Sequence, residues 1–199
     1  NPRYAVAVLR SATDRAGGYY PDRPDPKYGA SPRAIMERNF KICRTYALTF
    51  NQSAGNLLFV GGTGLGKTFL SACIARAVAD RGCSVVYETA NHLFSKLEQA
   101  KFNPTEESRR EAAKFLECDL LIIDDLGTEM PGQFVTAALY SLLNDRLLMG
   151  KPMVISTNLN LPSSSAQTTT TKLWHSLLAK LRAARNIPAR FWPEQMVSY

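Results

Sequence analysis

The segment from Gly61 to Thr68 constrains this chain more than any other, because it fits the pattern G-x-x-x-x-G-K-[ST] at every fixed position. Glycines let the backbone curl so that its N–H groups point toward a chain of phosphates. Lys67 is then expected to reach the β- and γ-phosphates of a nucleotide, and the Thr68 hydroxyl to bind Mg²⁺. The expected phosphate-binding residues are Gly61, Gly62, Thr63, Gly64, Leu65, Gly66, Lys67 and Thr68.

The residues on either side of this loop predict the strand and the helix that the motif requires. Residues 56–60 form a short apolar run, which is typical of a buried strand. After the loop, Leu70, Ile74 and Val78 recur at helical spacing, and Gly82 stands where a glycine often ends a helix. This order of strand, loop and helix favours a nucleotide site over an ordinary glycine-rich turn.

Strand-like and helix-like segments alternate along the rest of the chain. Further strands are predicted at 84–88, 120–123 and 152–156, and helices at 32–49, 67–81, 91–102, 104–117 and 133–148. This alternation predicts an α/β fold with a parallel sheet. We divide the chain into a linker (1–30), a nucleotide-binding core (31–160) and a basic tail (161–199). Because the chain begins without methionine, we expect a fragment that lacks an N-terminal partner-binding region.

Composition narrows the function classes. The net charge is +7. An excess of positive charge is compatible with binding to nucleic acid, and equally with a charged surface that only keeps the protein soluble. The 4 cysteines show no C-x-x-C spacing, so we expect free thiols in a reducing cytoplasm rather than a zinc site or a disulfide. We expect neither a signal peptide nor a membrane span, since no apolar run approaches the roughly 20 residues that a bilayer requires.

Two further groups of polar residues follow apolar strands. Asp124 and Asp125 end the strand predicted at 120–123, and successive side chains of a strand point in different directions. We assign Asp124 to Mg²⁺ and Asp125 to orienting or deprotonating the attacking water; the alternative is a pair of turn-forming aspartates. At the tip of the next strand, Asn158 is the candidate for contacting the γ-phosphate or the water, with Thr157 second. Without the phosphate loop and the paired acids, the favoured interpretation of Asn158 would be a residue that begins a turn.

From about residue 19 to residue 160 the chain resembles the AAA+ ATPases that load bacterial replicative helicases (the DnaC/DnaI type) and the related IstB transposition ATPases. The resemblance is carried by NLLFVGGTGLGKT (56–68), DLLIIDDLGTE (119–129), LYSLLNDRLLMGKP (139–152) and STNL (156–159). It implies ATP rather than GTP, and a five-stranded sheet in the order 5-1-4-3-2. It also implies homo-oligomers with ATP between subunits, single-stranded DNA binding and a replicative helicase partner.

In that family the helices after the second strand line the DNA path. Here those helices carry Lys96 and Lys101 with neighbouring aromatic side chains, a combination that suits phosphate contacts and base stacking. Lys96 and Lys101 are therefore candidate DNA contacts. The alternative is that the apolar residues form core and the charges are simply solvated.

The tail departs from the family pattern. A Ser-Arg-Leu element, whose arginine completes the neighbouring subunit's ATP site, is expected after STNL and does not follow. Arg182 and Arg185 lie at a plausible distance without the motif around them. We hypothesise that residues from about 161 onward are translated out of frame, because codon degeneracy allows another frame to encode the expected acidic helix.

The leading interpretation is an ATP-hydrolysing replication protein that loads a helicase. An IstB-like ATPase that assists a transposase shares the same core and is the first alternative. The second is a nucleotide-binding switch that hydrolyses little ATP because it lacks the arginine supplied by a neighbouring subunit.

Overall fold

The computed structural model describes residues 20–24, 26, 29–127 and 132–158. Within these ranges the helices are α1 (Pro32–Thr49), α2 (Lys67–Ala79), α3 (Ala90–Phe102), α4 (Glu106–Glu117) and α5 (Gln133–Leu148). The strands are β1 (Leu57–Val60), β2 (Val85–Thr89), β3 (Leu120–Leu126) and β4 (Met153–Thr157). The predicted helices and strands are confirmed, although β3 runs beyond its predicted end at residue 123.

The strands form one parallel sheet in the order β1-β4-β3-β2. This is the 1-4-3-2 part of the predicted order 5-1-4-3-2. The described residues contain four strands rather than the predicted five, and the prediction of a fifth strand falls outside them. Because the strands are all parallel, their carboxyl ends lie at one edge of the sheet, and those of β1, β4 and β3 are adjacent there. We call this edge the carboxyl edge and the opposite one the amino edge.

Helices cover both faces of the sheet. Along β3, Leu120 and Ile122 pack with α1 and α2, whereas Leu121 and Ile123 pack with α3, α4 and α5. All four side chains are 0% exposed. A strand that is buried on both faces needs a continuous apolar run, which is why the alternation typical of half-buried strands is missing here.

Polar side chains, one of them a buried arginine, connect the helices and strands at the amino edge. The Arg146 guanidinium is 0% exposed and donates to the carbonyl oxygens of Phe115 and Pro152 at 2.8 Å and of Cys118 at 3.2 Å. Asp119 accepts hydrogen bonds from the Ser84 backbone N–H and hydroxyl, both at 2.8 Å. These contacts fix the ends of α4, β3 and β4 relative to one another, and sequence reasoning identified none of them.

The cysteines are free thiols, as predicted. Cys43, Cys73 and Cys118 are buried and Cys83 is half-buried. Burial raises the pKa of the Cys43 thiol to about 12, so this group stays protonated and unreactive at neutral pH. None of the helices in the described ranges combines the length and apolarity needed to cross a bilayer.

Candidate functional site

The glycine-rich loop connects β1 to α2 at the carboxyl edge. Gly64 and Gly66 both have φ of 81°, a left-handed conformation that a β-carbon disfavours. A β-carbon on Gly66 would meet the Tyr20 hydroxyl at 3.8 Å, so the backbone angle rather than crowding requires glycine there. Among the described residues no side chain caps α2, whose first N–H groups are therefore left for an anion.

The Lys67 ammonium is buried at the centre of this loop. It donates to the carbonyl oxygens of Gly61 at 2.8 Å and Gly62 at 2.7 Å, and to Asn158 Oδ1 at 2.6 Å. Burial lowers the pKa of Lys67, while the charges of Asp125 and Asp124 act in the opposite direction. The structure therefore brings the loop lysine, both candidate acids and the candidate strand-tip amide to one place.

Asp124 is buried at the end of β3, and hydroxyl groups hold both of its carboxylate oxygens. Tyr87 donates to Oδ2 at 2.6 Å, and Ser156 donates to Oδ1. Burial, and then the bond to Asp124, raise the pKa of the Tyr87 phenol, which keeps it a donor at neutral pH. Sequence reasoning gave neither hydroxyl a role, because Tyr87 lies 37 positions away and resembles an ordinary strand residue.

Strand alternation, the predicted cause of the direction of the Asp125 side chain, is wrong. Regular alternation predicted that the two acids point different ways, but the register of β3 against β4 shifts between Ile123 and Leu126. Asp125 has φ of 58°, the positive value of a residue in the left-handed region. Its N–H donates to Ser156 Oγ at 2.9 Å, and Asn158 Nδ2 donates to its Oδ1 at 2.8 Å. A local bend in the backbone, rather than the pleat, directs this carboxylate.

Asn158 bridges the lysine and the second acid. Its amide oxygen accepts from Lys67 and its amide nitrogen donates to Asp125, so the three side chains form one chain of hydrogen bonds. Thr157, the second candidate for this position, is buried and its hydroxyl donates to the carbonyl oxygen of Leu126 at 2.6 Å. The geometry therefore favours Asn158 over Thr157 as the residue that faces a nucleotide.

The oxygen groups at this edge fit Mg²⁺ when a nucleotide contributes ligands as well. Thr68 is exposed at the start of α2, and Asp124 lies near the carboxyl end of β3, both at the carboxyl edge of the sheet. Within the described residues there is no group of three or more His, Cys, Asp or Glu side chains that could hold an ion alone. Mg²⁺ is commonly bound by one or two protein oxygens together with phosphates and water, which matches this arrangement.

The predicted linker contacts the site. The Tyr20 hydroxyl donates to the carbonyl oxygen of Leu65 at 3.0 Å, and Ser31 at the start of α1 donates to Asp22 at 3.2 Å. Residues 20–22 therefore lie against the nucleotide-binding core, a position that the proline-rich composition of the linker did not predict.

The two candidate DNA contacts have different surroundings. Lys96 pairs with Glu88, and with Glu111 at 3.4 Å, so carboxylates already compensate its charge. Lys101 Nζ lies 5.4 Å from the ring centroid of Phe102 and 5.3 Å from that of Phe134. The exposed ring of Phe102 and the nearby cation form a surface on which a base could stack.

Comparison with known proteins identifies the family. A family model described as IstB-like ATP binding protein matches residues 34–186. The chain belongs to this family. The match extends beyond residue 160, the point at which the motifs quoted above end. The description of this family as ATP-binding gives the class of the cofactor.

The chain is similar both to a protein of an insertion sequence and to a protein of DNA replication. An IS232 insertion-sequence protein of Bacillus thuringiensis subsp. berliner, named as ATP-binding, is 31% identical over 117 residues, covering 59% of this chain and 46% of its own. The replicative helicase loader DnaC of Escherichia coli K12 is 25% identical over 118 residues, covering 59% and 48%. The chain thus spans about half the length of each of these two relatives.

Solved structures share the fold. The crystal structure of the DnaC helicase loader superposes with a TM-score of 0.62 at 22% identity, covering 75% of this chain and 86% of that one. A replication initiator DnaA bound to AMPPCP and single-stranded DNA gives 0.57 at 18% identity, covering 82% and 50%. At these identities the likeness supports the α/β architecture with its parallel sheet.

Proposed function

We propose that this protein hydrolyses ATP in a Mg²⁺-dependent reaction. The observation that carries the proposal is the hydrogen-bonded chain from Lys67 through Asn158 to Asp125. It links the group expected to hold the γ-phosphate to the group expected to act on water. Family membership supports ATP as the nucleotide.

Each side chain has a separate task in this proposal. Lys67 and the N–H groups of the loop bind the β- and γ-phosphates, and Asn158 positions the γ-phosphate and the attacking water. Asp125 orients that water and accepts its proton. Asp124 and Thr68 hold Mg²⁺, which neutralises charge on the phosphates when it is bound.

For the biological role we propose assistance to a transposase. The matching family and the insertion-sequence relative favour it over the helicase-loader role that the sequence motifs placed first. Helicase loading remains the second candidate because the chain shares sequence and fold with the DnaC loader. The two roles are separated by the partner that stimulates ATP turnover, a transposase or a replicative helicase.

We further propose two binding partners, single-stranded DNA and a second copy of this chain. Among the two lysines predicted to contact DNA, we favour Lys101 with Phe102 and Phe134, since Lys96 is occupied by carboxylates. An oligomer would bring a neighbour's arginine to the ATP site. Its candidates Arg182 and Arg185 lie outside the described residues, as does the whole tail. We place the protein in the cytoplasm.

The test is steady-state ATP turnover by the purified chain with and without single-stranded DNA. Turnover that rises with DNA supports a complete site in an assembled oligomer. Tight ATP binding with negligible turnover under both conditions would instead support the nucleotide-binding switch. Loss of ATP binding would contradict both.

Asp125→Asn tests the assignment of the water-activating group. Removing a general base costs about 10²–10⁴-fold in rate, so turnover should fall by that factor while ATP binding is retained. Asp119→Asn is the matched control, because Asp119 precedes the same strand at the amino edge. Unchanged turnover in Asp125→Asn would refute the assignment.

A further inference from the structure

Tyr87 and Asp124 approach each other because of the register between two parallel strands. Thr89 of β2 lies opposite Asp124 of β3, and Tyr87 lies opposite Ile122. Tyr87 is therefore the diagonal neighbour of Asp124 on the same face of the sheet. The two residues are thus one diagonal step apart on paired strands, a separation that a long aromatic side chain can span. The Tyr87 hydroxyl consequently reaches Asp124 Oδ2 at 2.6 Å.

This hydroxyl completes the set of contacts that holds the carboxylate. The other oxygen, Oδ1, accepts from Ser156, whose own oxygen accepts from the N–H of Asp125 at 2.9 Å. Both oxygens of Asp124 are thus held by side chains of neighbouring strands, one on each side of β3. Each carboxylate oxygen can accept more than one bond, so the two hydroxyls leave lone pairs for an ion or its water.

The ring of Tyr87 is itself held in place. It packs against the cluster under α1 and α2, which includes Phe59, Leu70 and Ile122. Leu70 of α2, the helix that begins at Lys67, belongs to this cluster. Tyr87 therefore packs in the core beneath the phosphate loop while its hydroxyl binds the acid near the end of β3. A group with this support fixes the orientation of Asp124 at low entropic cost.

We propose that Tyr87 is a positioning residue for the metal–nucleotide site, which holds Asp124 in the orientation that receives Mg²⁺ on the ATP phosphates. The proposal rests on the proposed function, because it takes Asp124 as the Mg²⁺ ligand. Residues that orient a metal ligand typically account for about 10–100-fold in metal affinity. A purely structural tyrosine would affect stability and leave the coupling between metal and nucleotide unchanged.

The measurement is the ratio of two dissociation constants of the full chain for ATP, one in excess EDTA and one in excess Mg²⁺. This ratio reports how strongly Mg²⁺ strengthens nucleotide binding and does not depend on turnover. Tyr87→Phe should reduce the ratio by about 10-fold. Its dissociation constant in EDTA should stay at the wild-type value, which also shows that the phosphate loop is folded.

Tyr46→Phe is the matched control. Tyr46 lies on α1 beside the same cluster, and its buried hydroxyl has no hydrogen-bond partner among the described residues. The same chemical change there should leave the ratio unaltered. Asp124→Asn is the positive control, and it should abolish most of the Mg²⁺ effect.

The outcomes separate the two levels of inference. If Asp124→Asn loses the Mg²⁺ effect and Tyr87→Phe keeps it, the role of Tyr87 is overturned and the proposed function stands. If Asp124→Asn also keeps it, Asp124 is not the Mg²⁺ ligand and both ideas fail. A reduction of equal size in Tyr87→Phe and Tyr46→Phe would likewise overturn the proposal, since it would reflect general loosening of the core.

Discussion

The amino and carboxyl edges of the sheet each bury a cation among backbone carbonyls, with opposite consequences. At the amino edge, the planar fork of Arg146 donates to carbonyl oxygens at the end of α4 and just before β4. At the carboxyl edge, Lys67 donates to two carbonyls of its own loop and to Asn158. A guanidinium that binds fixed carbonyls across three elements is a structural brace, whereas an ammonium on a flexible stem can exchange its partners for phosphate oxygens.

The aspartates at the two ends of β3 repeat this contrast. Asp119 accepts two hydrogen bonds from Ser84 in an ordinary turn at the amino edge. Asp125 at the carboxyl edge has a positive φ of 58°, and its charge acts on a buried lysine. Within the described ranges Asp125 is the non-glycine residue with a positive φ, and it lies at the edge that carries the candidate site. Unusual backbone conformations cluster at functional sites.

The largest expected effect on stability comes from Arg146→Leu. It leaves buried carbonyl oxygens at Phe115, Cys118 and Pro152 without their donor, and each such group costs about 1–3 kcal/mol. Loss of the buried guanidinium charge offsets part of this cost, so we expect the free energy of unfolding to fall by about 3–5 kcal/mol in a denaturant titration. Arg76→Leu is the control, since that side chain is 62% exposed in a surface ion pair. If both variants lowered the free energy of unfolding equally, Arg146 would stabilise the fold no more than a surface cation does, which would contradict its role as a brace.

Lys67→Met tests the other cation. Losing charge-assisted hydrogen bonds to phosphate should weaken ATP binding about 10–100-fold. The free energy of unfolding without nucleotide should change by less than about 1 kcal/mol, because removing the buried charge offsets its lost contacts. Equilibrium nucleotide binding and denaturation on the same protein check both parts. If Lys67→Met lost much stability and kept its ATP affinity, Lys67 would be a structural brace and the proposed contrast between the two edges would be wrong.

The smallest effect is expected at Asp119. Hydrogen bonds from the Ser84 N–H and hydroxyl lower its pKa, so the ionised form stabilises the fold above its unfolded pKa, about 3.9. Asp119→Asn should therefore lower the free energy of unfolding by up to about 1 kcal/mol at pH 7. The difference from wild type should shrink as pH falls below about 4 and vanish below the folded pKa. Denaturation at a series of pH values measures it, and a difference that is independent of pH would contradict the assignment.

Motifs that combine adjacent residues were read correctly from the sequence. The strand, loop and helix around residues 56–79 and the apolar run of β3 are local patterns. The spacing of apolar residues, the length of each apolar run and the residues that flank it distinguish helix from strand there. The order of four strands followed from the family resemblance. The proposed out-of-frame origin of the tail stays a prediction, which the coding DNA tests.

The sequence by itself determined the phosphate loop, the paired acids and the alternating α/β pattern, because each is written in neighbouring residues. Only the tertiary structure decided that Asn158 contacts Lys67 across 91 positions and that Tyr87 reaches Asp124 across 37. It also decided that Arg146 is a buried brace and that the backbone bends at Asp125. The physical reason is that these contacts depend on strand order and register, and these are set by burying both faces of the sheet at once.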